Sequence, residues 1–326
     1  MLGTLLLASS VLFFGVAEGV ERFPVAGAAE LRASAGDWLV TGEAQPARIV
    51  RGAGGRDLFL VNGLVARRFR MSPNAATAAL DDLRTGKSLL RAVKPEARVR
   101  VDGVDYTVGG LAGQPNNAYL SEEFLDALTA APGALQCVQV EELPVEPRMG
   151  WNHVRHCAPG SVWPPKGVHL RFEYAPPEGA AKPFTVSVHY ELYDGIPVFC
   201  TWLTLHNNSG APIVLDSFSN EILAVVEHGS TVESRDMAVQ TPNLFVETEY
   251  AFLGMGASDS SRHSVFWMND PEYATQVNYE LKTPGLLETR PEFGPAETIA
   301  PGGDFISFRT FTMPLDSYDR ERNGLA

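Results

Sequence analysis

From residue 184 onward the chain alternates apolar and polar side chains with a period of two. Phe184, Val186, Val188, Tyr190 and Leu192 alternate with Thr185, Ser187, His189, Glu191 and Tyr193, which predicts a strand with one face on a core. Asp194-Gly195 follows, a pair suited to the positive backbone angles of a tight hairpin. The next run, Val198 to His206, is apolar on both parities. Phe199, Leu203 and Leu205 fall on one side, Val198, Cys200 and Trp202 on the other. Such a strand is buried on both faces or covered by a second layer. Asn207-Asn208-Ser209-Gly210 is turn chemistry, and Ile213 to Phe218 begins a third strand. The pattern predicts a three-stranded meander at the centre of a large antiparallel sheet.

Strand signals recur along the rest of the chain. Leu58 to Phe69 reads as two strands around Asn62-Gly63, and Arg98 to Val108 as a hairpin around Asp102-Gly103. Ala76 to Leu83, Val168 to Tyr174, Ile222 to Val226, Leu244 to Phe252, Val265 to Met268 and Gln276 to Leu281 read as further strands. Glu297 to Asp304 is a turn leading into a last strand, Phe305 to Phe311. Helix is scarce. Ser121 to Thr129 is the best candidate, with Ser121 as N-cap and two glutamates in the first turn. Asp316 to Arg322 is charged and helix-compatible. Many short strands with regular turns predict an all-β fold, a large antiparallel two-sheet supersandwich with few short helices.

Leu143 to Gly167 breaks the pattern. Five prolines there forbid a central strand. The same stretch holds Trp151, His153, Arg155, His156 and Trp163. Long irregular loops in compact domains are uncommon and often functional.

Composition narrows the partners. The formal net charge is −13 with no basic cluster, which excludes nucleic acid. Three cysteines, Cys137, Cys157 and Cys200, make no disulfide framework, and Cys200 lies inside a strand as a small buried hydrophobe. Residues 1–19 read as a secretory signal peptide, with an apolar run from Leu5 to Val16 and a small-residue site at Ala17-Glu18-Gly19. No basic residue precedes the run, and it is shorter than the ~20 residues of a membrane span. This predicts a secreted or periplasmic protein. Residues 20–57 form a lead-in segment or edge strand, 58–313 the sandwich, and 314–326 the start of a linker.

Four stretches in order carry a resemblance: DLFLVNGLVARRF, LRTGKSLLRAVKPEARVRVDGVDYTVGGL, VHYELYDGIPVFCTWLTLHNNSGAPIVLDSF and ETIAPGGDFISFRTF. Together they resemble the N-terminal β-supersandwich of family 36 glycoside hydrolases, the α-galactosidases and their relatives. The resemblance runs from Leu58 to Phe311 as strand order rather than as a strict motif. It implies a galactose-mutarotase-like fold that precedes a catalytic barrel bearing two aspartates. Those residues have no positions here, so the resemblance implies no catalytic residue in this chain. It implies a non-catalytic domain that packs on a barrel in cis, shapes a galactoside or related glycan site and assembles as a homo-oligomer. A stand-alone carbohydrate-binding or structural sandwich is the second reading, and a mutarotase-like sugar epimerase the third.

The side chains add modest chemistry. Sugars need aromatic faces and planar hydrogen bonders, which makes Trp151, His153, Arg155, His156 and Trp163 the carbohydrate-contact candidates. His153-Val154-Arg155-His156-Cys157 holds metal-donor types without a partner motif, so no metal and no cofactor is expected. An epimerase needs a histidine acid and a carboxylate base on the sheet face, with His153, His156, His169 and His189 on offer. Glu221 reads as a solvated strand end, and Asn207-Asn208-Ser209 as a turn rather than a glycosylation acceptor.

Overall fold

The computed structural model describes residues 17–41, 45–115, 119–151, 162–176, 183–226, 243–250, 261–273 and 285–325. One turn of helix, α1 (Trp38–Thr41), precedes the first sheet. That sheet is β1 (Arg48–Arg51), β2 (Asp57–Val61), β3 (Val65–Arg70), β4 (Ala76–Asp82) and β5 (Lys87–Ser88), paired in that order. β6 (Leu90–Ala92) leaves it, and β7 (Ala97–Val101) and β8 (Val104–Val108) form the Asp102-Gly103 hairpin. Both turn residues take positive φ, 48° and 78°, as this hairpin class requires. β9 (Leu111–Ala112) and β10 (Thr129–Ala130) pair around α2 (Glu122–Ala127). Ser121 Oγ caps that helix by accepting from Phe124 N.

The main sheet starts with β11 (Gln136–Leu143), β12 (Gly167–Ala175), β13 (Phe184–Tyr193) and β14 (Ile196–Asn207). The later strands are β15 (Ile213–Ser219), β16 (Glu221–Val225), β17 (Leu244–Thr248), β18 (Val265–Met268), β19 (Leu286–Thr289), β20 (Pro295–Ile299), β21 (Asp304–Ile306) and β22 (Thr310–Pro314), before α3 (Arg320–Leu325). The main sheet runs β11-β12-β13-β14-β22-β17, with β21 also paired to β14. Two four-stranded sheets, β20-β15-β7-β8 and β18-β19-β16-β6, complete the architecture with the first sheet. The fold is an all-β sandwich with few short helices.

Three expectations about strands and turns change. The third strand of the meander, β15, does not join β14. It pairs with β7 and β20 in another sheet. The buried Asn207 redirects the chain there. Its Nδ2 donates to Ala211 O and Ile299 O, and its Oδ1 accepts from Ser209 N and Oγ. Fully buried and fully engaged, Asn207 does turn duty. The last strand divides into β21 and β22 around Ser307–Arg309. At the β13–β14 turn only Gly195 takes positive φ, while a register shift at Leu192/Tyr193 absorbs the rest. The expected strand over 276–281 and residues 1–16 of the apolar leader lie outside the described residues. Ala17, Val20 and Phe23 pack into the core. Among the described residues no helix is long and apolar enough to cross a membrane.

The core lies between the main sheet and the strands facing it. Phe69 on β3 meets Phe172 and Tyr190 of the main sheet at ring separations of 4.9 and 4.8 Å. Tyr106 on β8 meets Phe184 edge-on at 5.0 Å, and such contacts add to the apolar area they bury. Asn62, in the turn between β2 and β3, ties the layers together. Its Nδ2 donates to Tyr193 O and Ile196 O, both at 2.8 Å, and its Oδ1 accepts from Leu64 N and Val65 N. Asn62→Ala leaves these groups without their partner, so urea unfolding is expected to show a loss of about 2–3 kcal/mol. A loss below about 0.5 kcal/mol would show that the tie is dispensable.

A charged network sits inside this core. The Arg67 guanidinium donates to both oxygens of Glu221 at 2.9 Å and to Thr77 Oγ1. Thr201 Oγ1 also donates to Glu221. Thr77 donates through Oγ1 to Glu96, which Tyr190 OH also reaches. Arg67 and Glu221 are 1% and 0% exposed, so Glu221 is not the solvated strand end that its local sequence suggests. Burial raises the Glu96 pKa above the usual carboxylate range, against the pull of Arg67.

Candidate functional site: the polar face of the main sheet

The period-two alternation that buries Phe184 to Leu192 turns Thr185, Ser187, His189 and Glu191 to the opposite face. Cross-strand register gathers partners around them. His189 lies between Arg171 on β12 and Trp202 on β14, and Ser187 between Glu173 and Thr204. Thr185 faces His206, which pairs in turn with Asp304 on β21. Between Arg171 and Glu173 at one end and Asp304 and Ile306 at the other lies a groove of about 450 Å³. Hydroxyl, amide, imidazole and charged groups line most of it.

Beside the groove the face is closed over. The irregular segment leaving β11 crosses the sheet as a strap. Val145 packs on Tyr193, Cys200 and Trp202. Arg148 donates to Ser307 O at 3.2 Å and pairs with Glu249. Under the strap, His189 stacks on Trp202 at 4.7 Å with an interplanar angle of 4°. The Arg309 guanidinium lies 4.3 Å from the Trp202 ring centroid, a cation–π contact. Arg309 also reaches Glu191 at 3.3 Å, and Tyr193 OH donates to Glu191 at 2.7 Å. Glu191 is fully buried and one of its oxygens, Oε1, has no partner. Burial raises its pKa, and Arg309 counters it.

The two histidines form a directed relay. His169 Nδ1 lies 3.3 Å from Pro144 O, and only an N–H can face a carbonyl. His169 Nε2 is then an acceptor for the N–H of His189 Nδ1 at 2.9 Å. His189 Nε2 is left as an acceptor for the Thr204 hydroxyl at 3.2 Å. The tautomers follow from this network. Both rings are neutral in it. Burial pulls the His169 pKa down to about 4, opposed by the Pro144 carbonyl and helped by Arg309 and Arg171. Burial, His169 and the two arginines pull His189 down to about 3.

Of the five loop candidates, Trp151 and Trp163 come together, with ring centroids 6.1 Å apart. They are 38% and 42% exposed, and Trp163 Nε1 donates to Met149 O. His153, Arg155 and His156 lie outside the described residues. His169 and His189, named from sequence only as epimerase candidates, sit at the centre of the polar face. Arg171, Thr204, Asp304 and Arg309 were missed. Polar parity along β12 and β14 marks two of them, but the register that joins them to β21 is not written locally. Cys137 and Cys200 are free thiols, and burial raises both pKa values. Among the described residues no group of three metal-donor side chains lies together.

No protein-family model matches the chain, and no curated protein matches it by sequence. Comparison with solved structures finds a family 36 α-galactosidase from Geobacillus stearothermophilus at TM-score 0.43 and 9% identity, over 82% of this chain and 41% of that one. A Klebsiella pneumoniae protein assigned as an aldose 1-epimerase matches at TM-score 0.43 and 8% identity, over 86% of this chain and 85% of that one. An α-galactosidase from Lactobacillus brevis matches at TM-score 0.37 and 8% identity, over 76% and 38%. The chain thus spans about two-fifths of the length of the two α-galactosidases.

Proposed function

We propose that this chain is a non-catalytic, carbohydrate-binding β-sandwich whose sugar surface is the polar face of the main sheet. The observation that carries the reading is the groove between Arg171 and Asp304, where hydrogen-bonding side chains from four strands converge. A sugar offers hydroxyls around its whole rim, and such a lining satisfies them. The exposed Trp151–Trp163 pair supports a second contact from the strap, with His153, Arg155 and His156 as its proposed polar partners. The reading extends to a catalytic barrel in cis, to homo-oligomers and to a secreted or periplasmic location, which rest on the strand-order resemblance and the apolar leader.

An epimerase is the rival, favoured by His169 and His189 lying on one face with Glu191. The electrostatics weigh against it. Burial draws both imidazole pKa values down and keeps the rings neutral, which works against either serving as a general acid. Polarimetry of galactose anomerisation is expected to show no acceleration by the chain. Acceleration that disappears in His189→Ala would establish the epimerase instead.

The binding claim is tested by filling the groove. Ser187→Tyr places a strand-compatible ring on its floor. Calorimetric titration with neutral oligosaccharides is expected to show binding to the unmodified chain and at least a tenfold loss in the variant, about 1.4 kcal/mol. Stability should change by less than about 1 kcal/mol, since the site is partly open. Equal binding by both proteins would move the site off this face.

A further inference from the structure

We infer that the groove takes a neutral glycan chain of at least two rings, laid across the strands, rather than a single sugar. This rests on the carbohydrate reading above and specifies its ligand. The lining runs from β12 over β13 and β14 to β21, four strands in successive hydrogen-bonded contact. Three inter-strand steps of about 4.8 Å make a path of roughly 14 Å, longer than one pyranose. The volume, about 450 Å³, agrees with more than one ring.

The ends of the path differ, so a bound chain has a direction. At the β12 end Arg171 holds Glu141 at 2.6 Å through Nη2, while its buried Nε has no partner. At the β21 end Asp304 holds His206 at 2.6 Å, beside the half-exposed Ile306. Ile306 offers an apolar patch to a C–H face of a ring. Between the ends Ser187 and Thr204 present hydroxyls directly opposite each other on neighbouring strands. Each subsite therefore has its own contacts, and a second ring gains what the first cannot reach.

Charge selects the class of glycan. Glu141, Glu173 and Asp304 stand around the groove against one guanidinium, Arg171. Even a charged His206 leaves acid in excess. A carboxylated or sulfated chain meets the net negative charge of the groove as a whole, and a neutral one does not.

The test is calorimetric titration of the full chain with three 1,4-linked series, based on galactose, glucose and mannose, each as mono-, di- and trisaccharide, and with trigalacturonate. In one series affinity should rise at least tenfold from the monosaccharide to the trisaccharide. Arg171→Gln and Asp304→Asn should each weaken the trisaccharide, and trigalacturonate should bind more weakly than galactotriose. Equal affinity for mono- and trisaccharide would overturn the chain-length inference while leaving the carbohydrate reading intact. Tighter binding of trigalacturonate would overturn the charge argument. Absence of binding in all three series would overturn both the inference and the reading it rests on.

Discussion

Replacing Arg67 with methionine is expected to cost the fold about 3–5 kcal/mol, the usual result of removing one partner from a buried ion pair. The urea midpoint should fall with little change in slope. Arg67 is 1% exposed, donates to both oxygens of Glu221 and lies over the Tyr190 ring at 4.4 Å. Methionine fills much of the space but leaves the Glu221 carboxylate buried, supported by Thr201 alone. The large term is that stranded charge rather than the lost contact. The double variant Arg67→Met, Glu221→Leu removes this pair and should recover part of the loss, while the buried Glu96, 3.7 Å from Arg67, still loses its cation. A single-variant loss under 1 kcal/mol, or no recovery in the double variant, would contradict a buried pair at the centre of the sandwich.

Acid should destabilise the protein through His169 and His189. Both are neutral in the fold, with pKa values depressed to about 4 and about 3 from 6.5. The unfolded chain therefore binds protons that the folded chain refuses. The stability tied to these rings is whole above pH 6.5 and drains away as pH falls toward 4. The slope is about 1.4 kcal/mol per pH unit for each histidine. Arg171 and Arg309 face the pair and strengthen the effect, while Glu191 and Glu96, with raised pKa values, act in the opposite sense. The informative quantity is thus a difference. Urea unfolding between pH 7 and pH 4 should show a steeper decline for the unmodified chain than for His169→Gln, His189→Gln. Parallel curves would mean that the rings are solvated and the relay to Pro144 does not form.

Much of this architecture was legible in the sequence, because alternation and turn pairs are local. The β13 and β14 strands, the Asp102-Gly103 hairpin and the Ser121-capped helix all form where their residues predict. What failed was long-range. Glu221 looks like a strand end because its partner, Arg67, is 154 residues away. β15 looks like the third strand of a meander because nothing in it announces that Asn207 turns the chain toward β7. The candidate site was half legible. The polar parity of Thr185 to Glu191 was plain, and so were the strap's prolines and tryptophans. That the strap crosses the sheet, with its Pro144 carbonyl ordering two histidines, depends on packing that no local pattern encodes. The groove likewise exists only once Asp304 is brought beside His206.

A crystal structure of the chain with the tightest-binding neutral oligosaccharide is expected to show the glycan in the groove, crossing from Arg171 to Asp304 with its hydroxyls on Ser187 and Thr204. A glycan held only by Trp151 and Trp163, or elsewhere with the groove empty, would contradict the groove as the binding site.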